Sequence, residues 1–409
     1  MRRGLVATAA LTAVGVAGVV LASQNQIITG PEADYWVSAS TTSGLAGMMG
    51  AGGGRPSMSQ MMSMGLSGGP PAGGAHSLNL QLGSKASASG PPHADHLPPP
   101  GLNGGSLLPL LTPQAPPPAP QEEGGERVQR FRQQKPDGRM LIFWGCGEHA
   151  PTGQPISLEF SHMTDPGYAE RFGQAMRGMP VSPQLPPSPA NWTTYGEWPN
   201  ARSGGPPQGS LVGPHQVRGN YSPDIEFSLG PDQDFMGPIG LDSRNRSPSG
   251  SVELRWGDVM GARAFTATVM GAGDDKTMVI WTSSQAGPGG LSAPAYLSNG
   301  DIHRLVADHW LLPAEARACQ VPAEVVQALG KGGLTTMVAY GGEANFAYPP
   351  RPVDPKTPWH IKWETKVRYR SATMGMLGQG EFGRDRTPPR PRPGLPIPGL
   401  PGLPGVPHF

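Results

Sequence analysis

Cysteine is nearly absent. Cys146 and Cys319 are the only two in 409 residues, and no CxxC pair exists, so a thioredoxin-like redox role has no support. An excess of charge of one sign is missing as well: 31 Lys and Arg against 30 Asp and Glu leave a net charge of +1, without a long single-sign run. That composition offers no electrostatic footing for a nucleic-acid partner or an anionic membrane surface. Nucleotide and hydrolase signatures are also lacking. There is no GxSxG elbow between a strand and a helix, no HExxH, no P-loop and no GxGxxG opening a βαβ unit. Catalytic groups can be scattered along a chain, but the usual reasons to propose an enzyme or a cofactor are gone, and the reading leans toward a non-catalytic protein.

What the chain has in abundance is glycine (60) and proline (50). Together they make up about a quarter of the residues, a share typical of low-complexity segments. Glycine raises the entropy cost of folding and proline removes a backbone donor, so much of the length builds no core. The expected organisation is a signal peptide over 1–22, a β-ribbon with a Met/Gly-rich disordered loop over 33–84, and a disordered linker over 85–126. A folded β-rich region follows over 127–378, with a helical insertion at 298–330, and a disordered Pro-rich tail covers 379–409.

The signal reading rests on Arg2 and Arg3, the uncharged stretch Gly4 to Ala22, and the small residues at its end. The stretch is just long enough to span a bilayer, so a retained anchor stands beside cleavage and, more remotely, a buried helix. Export to the periplasm or cell envelope follows from either of the first two. No later segment is apolar enough to span a membrane as a helix. In an oxidising compartment Cys146 and Cys319 form a disulfide by default, with two separate buried thiols as the alternative.

Strand signals are frequent in the folded region. Asp34 to Ser40 is a strand by its aromatic and β-branched content. Leu78, Leu80 and Leu82 alternate with polar residues, as do Ile156, Leu158 and Phe160, and also Ile225, Phe227 and Leu229. Arg139 to Cys146 (RMLIFWGC) is a continuous apolar run, expected as a strand buried on both faces. The cleanest alternation is Ile361, Trp363, Thr365, Val367 and Tyr369 against Lys362, Glu364, Lys366, Arg368 and Arg370. It predicts one packed face and one solvated, charged face. Helices are expected after Asp165, with Tyr168, Phe172 and Met176 on one face. Two more are expected within the insertion, one capped by Ser298 or Asn299 and one running from Pro322 to Gly330.

The segment LRWGDVMGARAFTATV, from Leu254 to Val269, resembles the fibronectin type III or immunoglobulin-like sandwich pattern. There a strand ending in Trp precedes a "pGAxxYxVxV" strand; Phe265 stands here where Tyr is usual. The resemblance implies a β-sandwich that binds or spaces rather than reacts. The DGRMLIFWGCGEHA strand, the GNYSPD turn (Gly219 to Asp224) and the YPPRP turn (Tyr348 to Pro352) resemble a family of uncharacterised exported proteins of Gram-negative bacteria. That family brings no known activity.

Three constellations could carry chemistry. Met48, Met49, Met58, Met61, Met62 and Met64 offer soft thioether ligands that suit Cu(I), with His76, His93 and His96 as added imidazoles; the plainer reading is an adaptable, sticky loop. Cys146, Glu148 and His149 lack a fourth ligand for zinc. Asp301, His303, Asp308 and His309 are read as solvated helix charges, with His309 packed on the apolar face. The expected function is therefore a non-catalytic envelope protein that binds another protein or a surface polymer. Trp192, Tyr195 and Trp198 are the candidate contact residues, and copper handling is the alternative.

Overall fold

The structure, a computed structural model, describes residues 26–50, 74–113 and 137–378, except positions 104, 163–164, 166, 176–177, 183, 204, 206, 290–292 and 331. The export segment, Met58, Met61, Met62 and Met64, residues 114–126 of the linker and the tail from 379 lie outside the described residues. The fold is mostly β, with a few helices.

A large mixed sheet forms its centre. Its strands run in the order Ile156–Glu159, Arg139–Trp144, Thr277–Thr282, Ala264–Ala272, Leu334–Tyr348, Trp363–Met376, Ala33–Ser43, Ala75–Ser84 and Thr194–Trp198. The longest pairing joins Leu334–Tyr348 to Trp363–Met376 in antiparallel register, with an irregularity between Tyr340 and Gly342. Ala33–Ser43 lies parallel to Trp363–Met376, Tyr35 opposite Thr365. The N-terminal ribbon is therefore not an appendage. Its strands Ala33–Ser43 and Ala75–Ser84 pair with each other and complete one half of the sheet.

The alternation written in the sequence becomes two sheet faces. On the inner face, Leu78, Leu80 and Leu82 are at most 2% exposed, each contributing about 2 kcal/mol of burial. Tyr35, Val37, Phe265, Ala267, Met337, Ala339 and Val367 lie on the same face and join one core cluster. Two smaller sheets cover it. One has the order Ile225–Leu229, Gly213–Gly219, Ala94–Leu97, Leu108–Leu110; the other has Leu241–Asp242, Val252–Trp256, Ala318–Val321. Trp256 crosses the layer to Phe265, ring centroids 5.5 Å apart. Two sheets facing across an apolar layer make the arrangement sandwich-like.

Part of the expected linker is folded. Ala94–Leu97 and Leu108–Leu110 are strands of the covering sheet, and Ala94, His96, Leu102, Leu108 and Leu110 are buried. Prolines there sit in short strands and turns, so a Pro-rich composition did not prevent burial of the few apolar side chains. The insertion likewise contains a strand, Ala318–Val321, between the helices Asn299–Ala307 and Ala323–Leu329. That strand pairs Cys319 with Leu254. Cys319 is bonded to Cys146, across 173 positions of sequence.

On the outer face, helix Asn299–Ala307 buries Ile302 and Leu305 against Ala264, Tyr340, Leu297 and Met179. Ser298 caps it, its side chain accepting from the Asp301 amide. Arg139–Trp144 is buried on both faces: Phe143 joins the inner core, while Met140 and Ile142 pack with Leu158 and Ile280 on the other side. Of the expected helix face Tyr168, Phe172 and Met176, helix Tyr168–Ala175 carries a half-buried Tyr168; the other two side chains lie outside the description.

Candidate functional site

The outer face of the sheet's N-terminal half is polar. Strand pleating and register set side by side Asn79, Ser38 and Arg368 in one row, and Glu197, Gln81, Trp36 and Lys366 in the next. A cleft of about 330 Å³ opens over these rows, bounded by Glu197 and Pro199 on one side and Tyr296 on the other. Its volume is at the small end of ligand sites.

Each wall is fixed by neighbouring structure. The Tyr296 segment is tied down by the Tyr340 hydroxyl, which donates to Pro294 O at 2.9 Å, and by burial of Leu297. Asn299 Nδ2 donates to Glu343 O, anchoring the start of the helix to the sheet. On the opposite wall Tyr195 donates to Glu197 Oε2 at 2.7 Å, while Gln81 Nε2 donates to the Tyr195 oxygen at 3.1 Å.

Arg368 is the unusual member. It is 9% exposed, although the alternation of its strand put it on a solvated face. Covering by the Tyr296 segment is the reason: Arg368 Cζ lies 4.3 Å from the Tyr296 ring centroid and 4.8 Å from that of Trp36. Its Nε donates to Ser38 Oγ at 2.7 Å. Arg370 Cζ lies 5.1 Å from the same Tyr296 ring, and its buried Nε has no partner among the described residues. Burial pulls the Arg368 guanidinium below its ordinary value; Tyr296 and Glu343 oppose that and Arg370 adds to it. Burial likewise raises the Tyr296 hydroxyl, against the charges of Arg370 and Arg368 and a hydrogen bond from Arg370.

Glu343 lies opposite Arg368 in the register, yet its carboxylate is occupied by Lys366 Nζ and Asn345 Nδ2, each at 3.1 Å. Among the described residues no carboxylate comes within 4.0 Å of either arginine. Beside them, burial pushes the Asp34 carboxyl up to about 6, against the hydrogen bond from the Trp36 indole.

The sequence candidates fall elsewhere or take other roles. Tyr195 and Trp198 are 3% and 4% exposed, because their strand is part of the sheet; they do not present a free aromatic surface. Trp198 borders the cleft and Tyr195 orients its polar wall. Trp192 packs on Gly83, where a Cβ would meet its ring at 2.5 Å. His93 is exposed. His76 stacks on Phe235, centroids 4.1 Å apart. His149 Nδ1 lies 2.9 Å from Glu324 Oε1 at the surface, beside a Cys146 engaged in the disulfide. His309 is exposed beyond the end of its helix, in the left-handed region at φ 60°, not packed on the apolar face.

His96 belongs to a buried chain that no local pattern reveals. Tyr35 Oη lies 2.9 Å from His96 Nδ1, His96 Nε2 lies 3.2 Å from His215 Nδ1, and His215 Nε2 lies 2.7 Å from Leu211 O. The carbonyl only accepts, so His215 Nε2 carries a proton and Nδ1 accepts from His96. His96 Nδ1 then accepts from Tyr35, and both rings are neutral and satisfied. Burial lowers both histidines, His96 well below 6.5, with His215 adding to the effect. Among the described residues no group of three or more His, Cys, Asp or Glu side chains is arranged to hold a metal ion. None of the described helices is long and apolar enough to cross a membrane.

No family model, no curated protein and no solved structure matches the chain, so the cleft is assigned by its chemistry alone.

Proposed function

We propose that the chain is a non-catalytic exported binding module whose ligand lies in the cleft over Ser38, Asn79, Gln81 and Arg368. The supporting observation is a concave, polar, aromatic-bordered site built on the rigid face of paired strands, the setting in which a few placed polar groups give specificity. Nothing about the cleft favours a reaction: among the described residues its lining holds no nucleophile paired with a base. The Gly/Pro-rich segments beyond the described residues act as spacers in this reading, and a surface polymer of the envelope is the ligand.

The test is cosedimentation of the full chain with an isolated envelope fraction, compared with Asn79→Trp. Asn79 is an exposed cleft residue, so filling it blocks the site without touching the core. Wild type should sediment with the envelope and the variant at least tenfold less, at equal thermal stability. Equal sedimentation of the two would remove the cleft from the account.

A further inference from the structure

We infer that the cleft takes a uronic-acid residue of an acidic polysaccharide, with its carboxylate on Arg368 and its hydroxyls on Asn79, Gln81 and Glu197. This deepens the reading of the cleft as the binding face and rests on it.

The arginines carry the argument. A guanidinium presents a planar fork of five donors that matches a carboxylate through two parallel hydrogen bonds. Arg368 uses Nε on Ser38, so its orientation is set, and Nη1 and Nη2 have no hydrogen-bond partner among the described residues. Arg370 follows two positions later on the same sheet face, roughly 7 Å along the strand. Two neighbouring cations withdrawn from water repel each other unless an anion lies between them. The nearest internal carboxylate, Glu343, is held by Lys366 and Asn345. The compensating charge therefore comes from outside, and the cleft is the route by which it enters.

The other lining groups specify what surrounds that anion. Asn79 offers an amide, Gln81 an amide oxygen whose nitrogen is held by Tyr195 and Pro187, and Glu197 a carboxylate whose Oε2 is fixed by Tyr195. Glu197 lies three strands from Arg368, roughly 14 Å away at ordinary strand spacing. A ligand that reaches both ends presents one carboxylate to Arg368 and hydroxyls to Gln81 and Glu197, with its other carboxylates turned to solvent. An extended peptide is a poorer fit. Peptides bind sheets through unpaired backbone at an edge, and the cleft floor is strand Ala75–Ser84, paired on both sides with Ala33–Ser43 and Thr194–Trp198. Only side chains are on offer there, which is how a sheet face holds a sugar.

Calorimetric titration of the full chain tests this with three probes: trigalacturonate, maltotriose, and a tripeptide with a free C-terminal carboxylate. Trigalacturonate should bind at least tenfold more tightly than either of the others. Arg368→Gln should weaken trigalacturonate at least tenfold and erase its advantage over maltotriose. Arg368→Lys should fall between, because an ammonium keeps the charge and loses the fork; it also guards against misfolding of the first variant. Equal affinity for maltotriose, tighter binding of the peptide, or no binding of trigalacturonate would overturn the inference. Should that happen while Asn79→Trp still abolishes envelope sedimentation, the ligand class is wrong and the cleft stands. Undiminished sedimentation of Asn79→Trp would mean that the cleft reading has failed first.

Discussion

His96 Nε2 lies 3.2 Å from His215 Nδ1 inside the sandwich, and both rings are 1% exposed. The pair is neutral in the fold because burial lowers both histidines. In the unfolded chain each takes up a proton below about pH 6.5. Stability is thus full above that pH and falls as pH drops toward the depressed native values. Two such groups give a slope of about 2.7 kcal/mol per pH unit once both titrate in the unfolded state. Urea unfolding between pH 7.5 and 5.5 measures it. His96→Phe should cost on the order of 2–4 kcal/mol at pH 7.5, since Tyr35 and His215 lose a partner, and should lower the slope by about 1.4 kcal/mol per pH unit. An unchanged slope would contradict the neutral pair.

Asp34 shows the opposite sign. Its carboxyl is raised from 3.8 to about 6 by burial, so the fold binds its proton more tightly than the unfolded chain does. Stability is lost as pH rises through about 6. Asp34→Asn should therefore stabilise at pH 7.5 by on the order of 1–2 kcal/mol, discounted for partial solvation, and have no effect near pH 3.5. Thermal unfolding of both proteins at the two pH values is the check.

Reduction should matter throughout the fold. The Cys146–Cys319 bond ties the strand end after Trp144 to the covering sheet over 173 positions. Loop-closure entropy for a span of that length corresponds to about 3–5 kcal/mol of stability. Cys146→Ser with Cys319→Ser should lower the urea midpoint accordingly, and the oxidised chain should run faster than the reduced one on a denaturing gel. Identical midpoints would argue that the bond is absent in solution.

Much of the large sheet was legible because its strands are long enough to show a period. Leu78, Leu80 and Leu82, or Trp363, Thr365 and Val367, alternate over enough residues to assign a face. Ala94–Leu97 and Leu108–Leu110 are four and three residues long, too short for periodicity and masked by flanking prolines. The cleft was missed for another reason. Alternation says that Arg368 and Arg370 share a face, not what covers it. The cover is Tyr296, some 70 positions earlier by count from the sequence, and no local pattern joins the two. His96 and His215 were hidden in the same way, since their meeting depends on the pairing of Val217 with His96.

Trp192 and Gly83 make a paired prediction. A Cβ at Gly83 would come within 2.5–2.6 Å of the Trp192 ring, so Gly83→Val should destabilise by about 2–3 kcal/mol through overpacking. Trp192→Ala should relieve most of that clash, and the double variant should fall short of additivity by at least about 1 kcal/mol. Additive effects would mean that the ring does not rest on Gly83.

The most direct test of the cleft is a crystal structure of the chain with trigalacturonate bound. The account predicts one carboxylate within hydrogen-bond reach of Arg368 Nη1 and Nη2, below Tyr296, with the next ring running toward Gln81 and Glu197. A ligand seated elsewhere, or a cleft that holds solvent alone at saturating trigalacturonate, would contradict it.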